Sequence, residues 1–294
     1  MLWIILTAAA APLQVARNAL QRGLVGDAGP WGATLVRFLF GLPFSLAIFA
    51  VVALWTPLAE PHLSARFAIA VSVGAIAQVS ATAALLMAMR HSGFAVATFM
   101  QQSSLPLAAI LGFALFGDHM SPVQWLGLAA TTLGLLILSW PRGERVAGAA
   151  MSGSLFGLAS GVAFAVALNG YRQAGVALEP HHPIYSATAA LCVAQALQSL
   201  VLTAILAVTR PYALRSVVGS WRESLGAGFF GTAASACWFS ALALAPAGQV
   251  RAIGVIEGPI AAAAGRRLFK EKLTLVQIAG GTATAVGVVM TALG

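Results

Sequence analysis

Leu115-Phe116-Gly117-Asp118, followed by Val123-Gln124 and Gly127, returns later in the chain as Leu268-Phe269-Lys270-Glu271, Val276-Gln277 and Gly280. The offset is constant at 153 positions (268 − 115 and 280 − 127), about half of the 294 residues. Self-similarity at one fixed spacing reads as two copies of a single unit. Both copies lie in sequence fit for a bilayer, because the chain is 60% hydrophobic and 8% charged, where a soluble domain carries roughly 25% charged residues. Continuous apolar runs of this length satisfy their backbone polar groups in lipid as helices.

Spans of about 20 apolar residues, interrupted by charged or Pro/Gly turns, predict ten helices at 2–21, 30–55, 66–90, 94–116, 122–140, 151–173, 183–208, 222–245, 248–269 and 272–293. The fold class expected is therefore an all-α membrane protein of ten transmembrane helices. It divides into a first five-helix repeat over 1–140 and a second over 151–294. Eleven basic residues fall in one set of connections: Arg22, Arg90, Arg142, Arg145, Arg210, Arg215, Arg222, Arg266, Arg267, Lys270 and Lys272. Only Arg66 and Arg172 fall in the other set. The positive-inside bias then puts the first set in the cytoplasm and both termini outside. The same bias explains the net charge of +8 as loop anchoring, without a nucleic-acid partner. No cleaved signal is expected, since Met1 to Ala11 has no basic start and runs on apolar into Pro12 to Leu20. Cys192 and Cys237 both lie in apolar runs and read as reduced packing residues.

An odd number of spans per copy requires the second copy to enter the membrane inverted. The equivalent turns agree with that requirement. Gly117-Asp118-His119-Met120-Ser121 carries no Lys or Arg, whereas Arg266-Arg267 and Lys270-Glu271-Lys272 are strongly basic.

A proline in helix 4, then Leu-Phe-Gly-Asp, then Val-Gln-x-x-Gly, resembles the drug/metabolite transporter superfamily, EamA branch. The resembling residues are Pro106, Leu115 to Asp118 and Val123 to Gly127, then Pro259, Leu268 to Glu271 and Val276 to Gly280. Arg37-Phe38 is also typical of that family's first half. The resemblance covers essentially the whole chain and implies two inverted five-helix halves, export of metabolites including amino acids, and a fused chain that works as a monomer. Asp118 stands where the family usually shows Glu.

Elementary chemistry gives the motif a structural reading. Asp118 and Glu271, just before helices 5 and 10, suit helix caps. Gly127, Gly134, Gly280, Gly281 and Gly287 suit close contact of helices 5 and 10. Pro12, Pro43, Pro106 and Pro259 each remove a hydrogen bond within a span.

Function is expected where polar groups sit in hydrocarbon at a cost. Four charged residues qualify: Arg17, Arg37, Arg251 and Glu257. Glu257, in Glu257-Gly258-Pro259, is the single mid-span acid among eight acidic residues. It reads as a proton-coupling site or a counter-ion for a cationic substrate group, or else as half of a structural ion pair. Arg251 is six residues away, about 120° off its face on an ideal helix, so a partner on another helix is expected, Arg37 first. Gln14, Arg17 and Asn18 share one face of helix 1 at i, i+3, i+4 spacing, although Arg17 lies near enough to the end to snorkel. Gln101-Gln102-Ser103-Ser104 precede Pro106 as Glu257 precedes Pro259, which is the arrangement of a substrate site at a repeat interface. Gln78 with Thr82, Asn169, Gln195 with Gln198, and Trp238 with Ser240 complete the candidates. Trp31, Trp140 and Trp221 read as interfacial belt residues, and His181-His182 as a solvated outer loop in place of a metal site.

Three function classes compete. A secondary transporter of small polar metabolites, working by alternating access with protons as a coupling ion, fits the duplication best. An uncoupled facilitator or channel, or a broad-specificity drug efflux protein, is the alternative. An intramembrane enzyme is disfavoured, for the chain has no His-Glu-x-x-His pattern, paired mid-span aspartates or phosphate loop. No cofactor or metal is expected. The partners are a small-molecule substrate and the lipid bilayer, and the expected location is a bacterial inner membrane.

Overall fold

The computed structural model describes residues 2–117, 121–139, 147–269 and 274–293. Among them every regular element is a helix. Helix α1 (Leu2–Leu39) is interrupted at Gly29, whose φ of 68° is a conformation that glycine adopts at little cost. Pro30 then restarts the helix. The first span thus runs past residue 21, and Arg22, expected in a connection, lies inside it. After a turn at Phe40-Gly41 come α2 (Leu42–Trp55), α3 (Ala65–Ser92), α4 (Phe94–Gln101), α5 (Ser104–Phe116) and α6 (Pro122–Ser139). The second half holds α7 (Ala147–Leu178), α8 (Pro183–Thr209), α9 (Pro211–Gly219), α10 (Trp221–Leu244) and α11 (Ala247–Ile253). A 3-10 turn at Gly254–Ile256 leads into α12 (Glu257–Phe269), followed by α13 (Leu275–Leu293).

Among the described residues, five helical stretches are long and apolar enough to cross a membrane: Ala28–Trp55, which includes the turn at Phe40-Gly41, Ala65–Ser92, Met151–Leu178, Pro183–Thr209 and Trp221–Leu244. The helix Ser104–Phe116 is shorter and apolar. Helix α3 turns Ile69, Val73 and Ile76 outward, and α8 turns out Leu200, Val201, Ile205 and Val208. Exteriors of that kind call for lipid.

The spans expected at 30–55, 94–116 and 248–269 are broken, each shortly before a proline: Pro43, Pro106 and Pro259. Pro12, by contrast, lies in continuous helix. Between the spans expected at 183–208 and 222–245 lies the amphipathic helix α9, which buries Ala213 and Val217 one turn apart.

Contacts within the chain define two compact units that do not coincide with the sequence halves. Unit 1 comprises Met1–Val79 and Ala167–Ala245; unit 2 comprises Ser80–Val166 and Pro246–Gly294. Each unit therefore draws helices from both copies of the repeat.

In unit 1, α1 packs on α8, α9 and α10, and α2 on α8 and α10. Gly228 of α10 lies on the break at Phe40-Gly41; a Cβ there would come 2.5 Å from the Phe40 carbonyl carbon. Glu179, between α7 and α8, ties two connections together. Its carboxylate accepts the His181 and Glu60 amides, both at 2.9 Å. The His181 amide, first, and the Glu60 amide hold this carboxyl below its ordinary range against the opposing effect of burial. The His182 ring lies 3.8 Å away, so the His181-His182 segment is organised around this carboxylate.

In unit 2, α6 packs on α13, α4 on α12, and α5 and α13 on α11. A Cβ on Gly134 would lie 2.5 Å from the Thr284 amide, and one on Gly287 2.4 Å from the Thr131 amide. Thr131 and Gly134 shifted by 153 are Thr284 and Gly287. The contact is therefore reciprocal, as across a two-fold axis. Each threonine hydroxyl also donates to a carbonyl one turn earlier, Thr131 to Gly127 at 2.9 Å and Thr284 to Gly280 at 2.8 Å. These pairs are equivalent at the same offset.

The repeated turn is partly explained. Gly117 ends α5 at φ 71°, with its amide on the Gly112 carbonyl, a left-handed cap that suits glycine. The start of α6 is capped by Ser121 and Gln124. The Gln124 amide donates to Ser121 Oγ at 3.2 Å and the Ser121 amide to Gln124 Oε1 at 2.8 Å, a reciprocal capping box. Ser121 and Gln124 thus satisfy each other's amides at the first turn of α6. Asp118 and Glu271 themselves lie outside the described residues.

Candidate functional site

A buried charged cluster in unit 2 is built on two helix breaks. Proline has no amide hydrogen, so Pro106 cannot bond the Gln102 carbonyl four residues back. The Leu105 amide takes that carbonyl instead at 3.0 Å, and the Ser103 amide takes the Met100 carbonyl at 3.1 Å. Both are three-residue bonds replacing four-residue ones, and the chain opens between α4 and α5. At the equivalent place before Pro259, the 3-10 turn Gly254–Ile256 separates α11 from α12.

Arg251 joins these breaks. Its Nη1 lies 3.3 Å from Glu257 Oε2. Nη2 donates to Gln102 Oε1 at 2.8 Å and Nε to Ser104 Oγ at 2.9 Å. Gln102 Nε2 makes a longer contact of 3.5 Å to the same Glu257 oxygen. Arg251 is 3% exposed and Glu257 fully buried. Ser104 and Glu257 are 153 positions apart, so one guanidinium binds equivalent positions of both repeats.

The expectation that Glu257 would need a partner from another helix, Arg37 first, is corrected. Three residues wound at about 120° each in place of 100° reduce the offset between 251 and 257 from about 120° to about 60°. The long arginine side chain covers the remainder. Three buried polar atoms near the breaks have no hydrogen-bond partner among the described residues: Glu257 Oε1, Gln101 Oε1 and Ser103 Oγ.

Unit 1 carries a different arrangement. Gln14, Arg17 and Asn18 are all buried, so Arg17 does not snorkel. Across the interruption at Gly29, Gln21 Nε2 donates to the Ala33 carbonyl at 2.7 Å, laying the two segments of α1 together. Arg17 and Arg37 consequently meet at α10. A Cβ on Gly231 would come 3.0 Å from Arg37 Cγ and 3.2 Å from Arg17 Cδ. Arg17 donates through Nε and Nη2 to Asn18 Oδ1, and Arg37 Nη2 donates to Ser235 Oγ at 3.0 Å.

A neutral network completes unit 1. Tyr171 OH donates to Gln78 Oε1 at 2.7 Å. Gln198 Nε2 reaches the same oxygen at 2.9 Å and the Ala75 carbonyl at 3.0 Å. The Tyr171 ring packs on Phe239, centroids 4.0 Å apart, and against Gly74, where a Cβ would intrude to 2.7 Å. Thr232 donates to the Gly41 carbonyl and accepts from Gln195 Nε2, both at 3.0 Å. Asn169 and Trp238 are buried in this unit as well.

The sequence candidates thus divide into groups. Gln101, Gln102, Arg251 and Glu257 belong to unit 2, with the last three in one cluster. Gln14, Arg17, Asn18, Arg37, Gln78, Asn169 and Trp238 belong to unit 1. Sequence reasoning missed Tyr171, Thr232 and Ser235. Thr232 and Ser235 stand at i, i+3 on α10, the same signal that singled out the polar face of helix 1.

The family model of the EamA-like transporter family matches residues 1–140 and 151–293. The chain belongs to the EamA-like transporter family. It is accordingly a multi-pass membrane transporter of the drug/metabolite transporter type, with the family model matching once in each half of the chain. A solved crystal structure resembles this EamA chain with a TM-score of 0.60, covering 99% of this chain and 96% of the solved one. At 15% identity that likeness speaks for the fold alone. No curated protein matches the chain.

Proposed function

We propose that this protein is a secondary active exporter of small polar metabolites such as amino acids. It works by alternating access as a monomer in a bacterial inner membrane, with both termini outside and protons as the coupling ion. The observation that carries the reading is the buried Arg251–Glu257 pair, held with Gln102 and Ser104 at two proline-linked helix breaks. Retaining a buried ion pair is a poor way to gain stability, since well-packed apolar residues do as well or better. In a membrane span such a pair points to function. The reciprocal Thr131/Gly287 and Thr284/Gly134 contact supports the inverted relation of the two repeats.

Proteoliposomes loaded with radiolabelled amino acids, nucleosides or cationic drugs test the reading. Efflux of an amino acid driven by a proton gradient is expected from wild type, and Glu257→Gln is expected to abolish the gradient dependence. If no solute moves, or movement ignores every change at Glu257, the reading fails. One observation favours an uncoupled facilitator as a second reading: Arg251 already neutralises Glu257 at 3.3 Å. Transport indifferent to pH gradients in wild type would select it.

A further inference from the structure

The connection between α8 and α10 presents an exposed surface of mixed charge and apolar character that transport chemistry does not use. Helix α9 turns Ala213 and Val217 inward. They pack on α1 at Gly32, where a Cβ would lie 3.4 Å from Val217 Cγ2 and 3.7 Å from the Ala213 carbonyl oxygen. At about 100° per residue, Arg215 points directly away from this pair, with Val218 about 60° to one side and Tyr212 about 60° to the other. All three are exposed, Tyr212 to 77% and Val218 to 58%. Arg210 just before the helix, and Trp221 and Arg222 just after it, are exposed as well. The Arg222 guanidinium lies over the Trp221 ring, 5.3 Å from its centroid.

The neighbouring helices fix the level of this surface. The end of α8 exposes Ile205 and Val208, and the start of α10 exposes Leu225 and Phe229. Apolar side chains turned outward from membrane spans face acyl chains. Both flanks of α9 therefore enter hydrocarbon within about two turns, and α9 itself lies where the headgroups begin. Water alone gives an outward tyrosine, valine and tryptophan no favourable surroundings, whereas amphipathic rings are stabilised among headgroups. Charge points the same way. Residues 210–223 hold three arginines and one acid, Glu223, a net charge of +2 (3 − 1). Helices with this combination lie in the interface, their apolar side chains inserted and their basic groups attracted to anionic lipid. We propose that the outward side of α9 is a docking surface for anionic phospholipid headgroups. Arg210, Arg215 and Arg222 supply the charge, and Tyr212, Val218 and Trp221 enter between the lipids. Lipid bound there holds α9 on α1 at Gly32, three residues after the interruption at Gly29 (32 − 29).

Native mass spectrometry of the purified full-length protein in detergent tests this, with phosphatidylglycerol and phosphatidylcholine of identical acyl chains as the probes. Wild type is expected to bind phosphatidylglycerol roughly tenfold more tightly or better. Arg215→Gln should weaken phosphatidylglycerol roughly fivefold, the scale of one basic residue at an anionic surface, and leave phosphatidylcholine unchanged. The triple variant Arg210→Gln, Arg215→Gln, Arg222→Gln should lose the preference. Arg215→Lys should keep most of it, because a lipid surface responds to charge. Tyr212→Ala with Trp221→Ala should weaken both lipids alike. Arg66→Gln, at an exposed arginine bonded to Gln173, should change neither. The single variants carry the test if the triple variant does not fold. Equal binding of the two lipids by wild type, or a preference that survives the arginine changes, overturns the proposal. So does displacement of phosphatidylglycerol by inorganic phosphate, which would mark a site for a soluble anion. Transport is a separate measurement, so a negative lipid result leaves the exporter reading in place.

Discussion

Arg251 and Arg37 are both buried in helical membrane protein, yet their surroundings differ in kind. Arg251 has a carboxylate at 3.3 Å and bonds to both helix breaks of unit 2. Arg37 has the Ser235 hydroxyl at 3.0 Å and shares Gly231 with Arg17. The first arrangement conceals a charge by pairing it within the protein. In the second, glycine lets two arginine stems approach one another, and each guanidinium also donates to a neutral side chain, Asn18 or Ser235. The comparison teaches that burial alone does not assign a role to an intramembrane arginine. Its immediate partners do, and broken helices control which partners are in reach.

The comparison can be broken most directly at Arg251. Arg251→Ala leaves Glu257 buried without its cation, and a loss of about 3–5 kcal/mol is expected, read as a lower thermal unfolding midpoint in detergent. The paired replacement Arg251→Met with Glu257→Met should recover most of that stability while transport remains lost. A double variant that stayed as unstable as Arg251→Ala would mean that the pair serves the fold. Next in size is the reciprocal contact of unit 2. Gly134→Leu drives a side chain into the Thr284 backbone and should cost about 1–3 kcal/mol, with Gly287→Leu costing the same by symmetry. Unequal losses in the two variants would show that the equivalence at offset 153 is only approximate.

In unit 1, Tyr171→Phe removes the hydroxyl shared by Gln78 and Gln198. A loss of about 1 kcal/mol is expected, with transport retained, and chemical denaturation measures it. The smallest effect is at the connection held by Glu179. Its carboxyl lies below the ordinary range because the His181 and Glu60 amides bind the charged form. A group with a depressed folded pKa contributes its stability fully above the unfolded pKa, and that contribution is lost as pH falls through the folded value. Hydrogen exchange at the His181 and Glu60 amides should therefore quicken as pH falls through the acidic range, after correction for the intrinsic rate. In Glu179→Gln it should be fast at every pH.

Much of the scaffold was legible along the chain because its signals are local or periodic. The 153-residue offset located both copies, and the glycines of helices 5 and 10 announced their close contact. The charged cluster was half legible. Glu257, Arg251, Gln101 and Gln102 stood out as polar residues in apolar spans, but an ideal helix put Arg251 and Glu257 on different faces. The 3-10 turn that overrides this depends on where a missing proline hydrogen bond is absorbed. Tyr171 escaped notice because a tyrosine in an apolar helix is ordinary until Gln78 and Gln198 from two other helices meet its hydroxyl.

The sequence by itself determined that this chain lives in lipid, that it is duplicated, and that it belongs among the EamA-like transporters. Composition and repetition are properties of the chain read in order, and the bilayer imposes helices on any chain of this kind. Only the tertiary structure decided that the compact units exchange helices between the repeats. It alone decided that Arg251 takes Glu257 while Arg17 and Arg37 meet over Gly231. Those pairings join residues up to 214 positions apart (231 − 17), and which of them form is settled by how closely glycine lets helices approach and by where prolines break them.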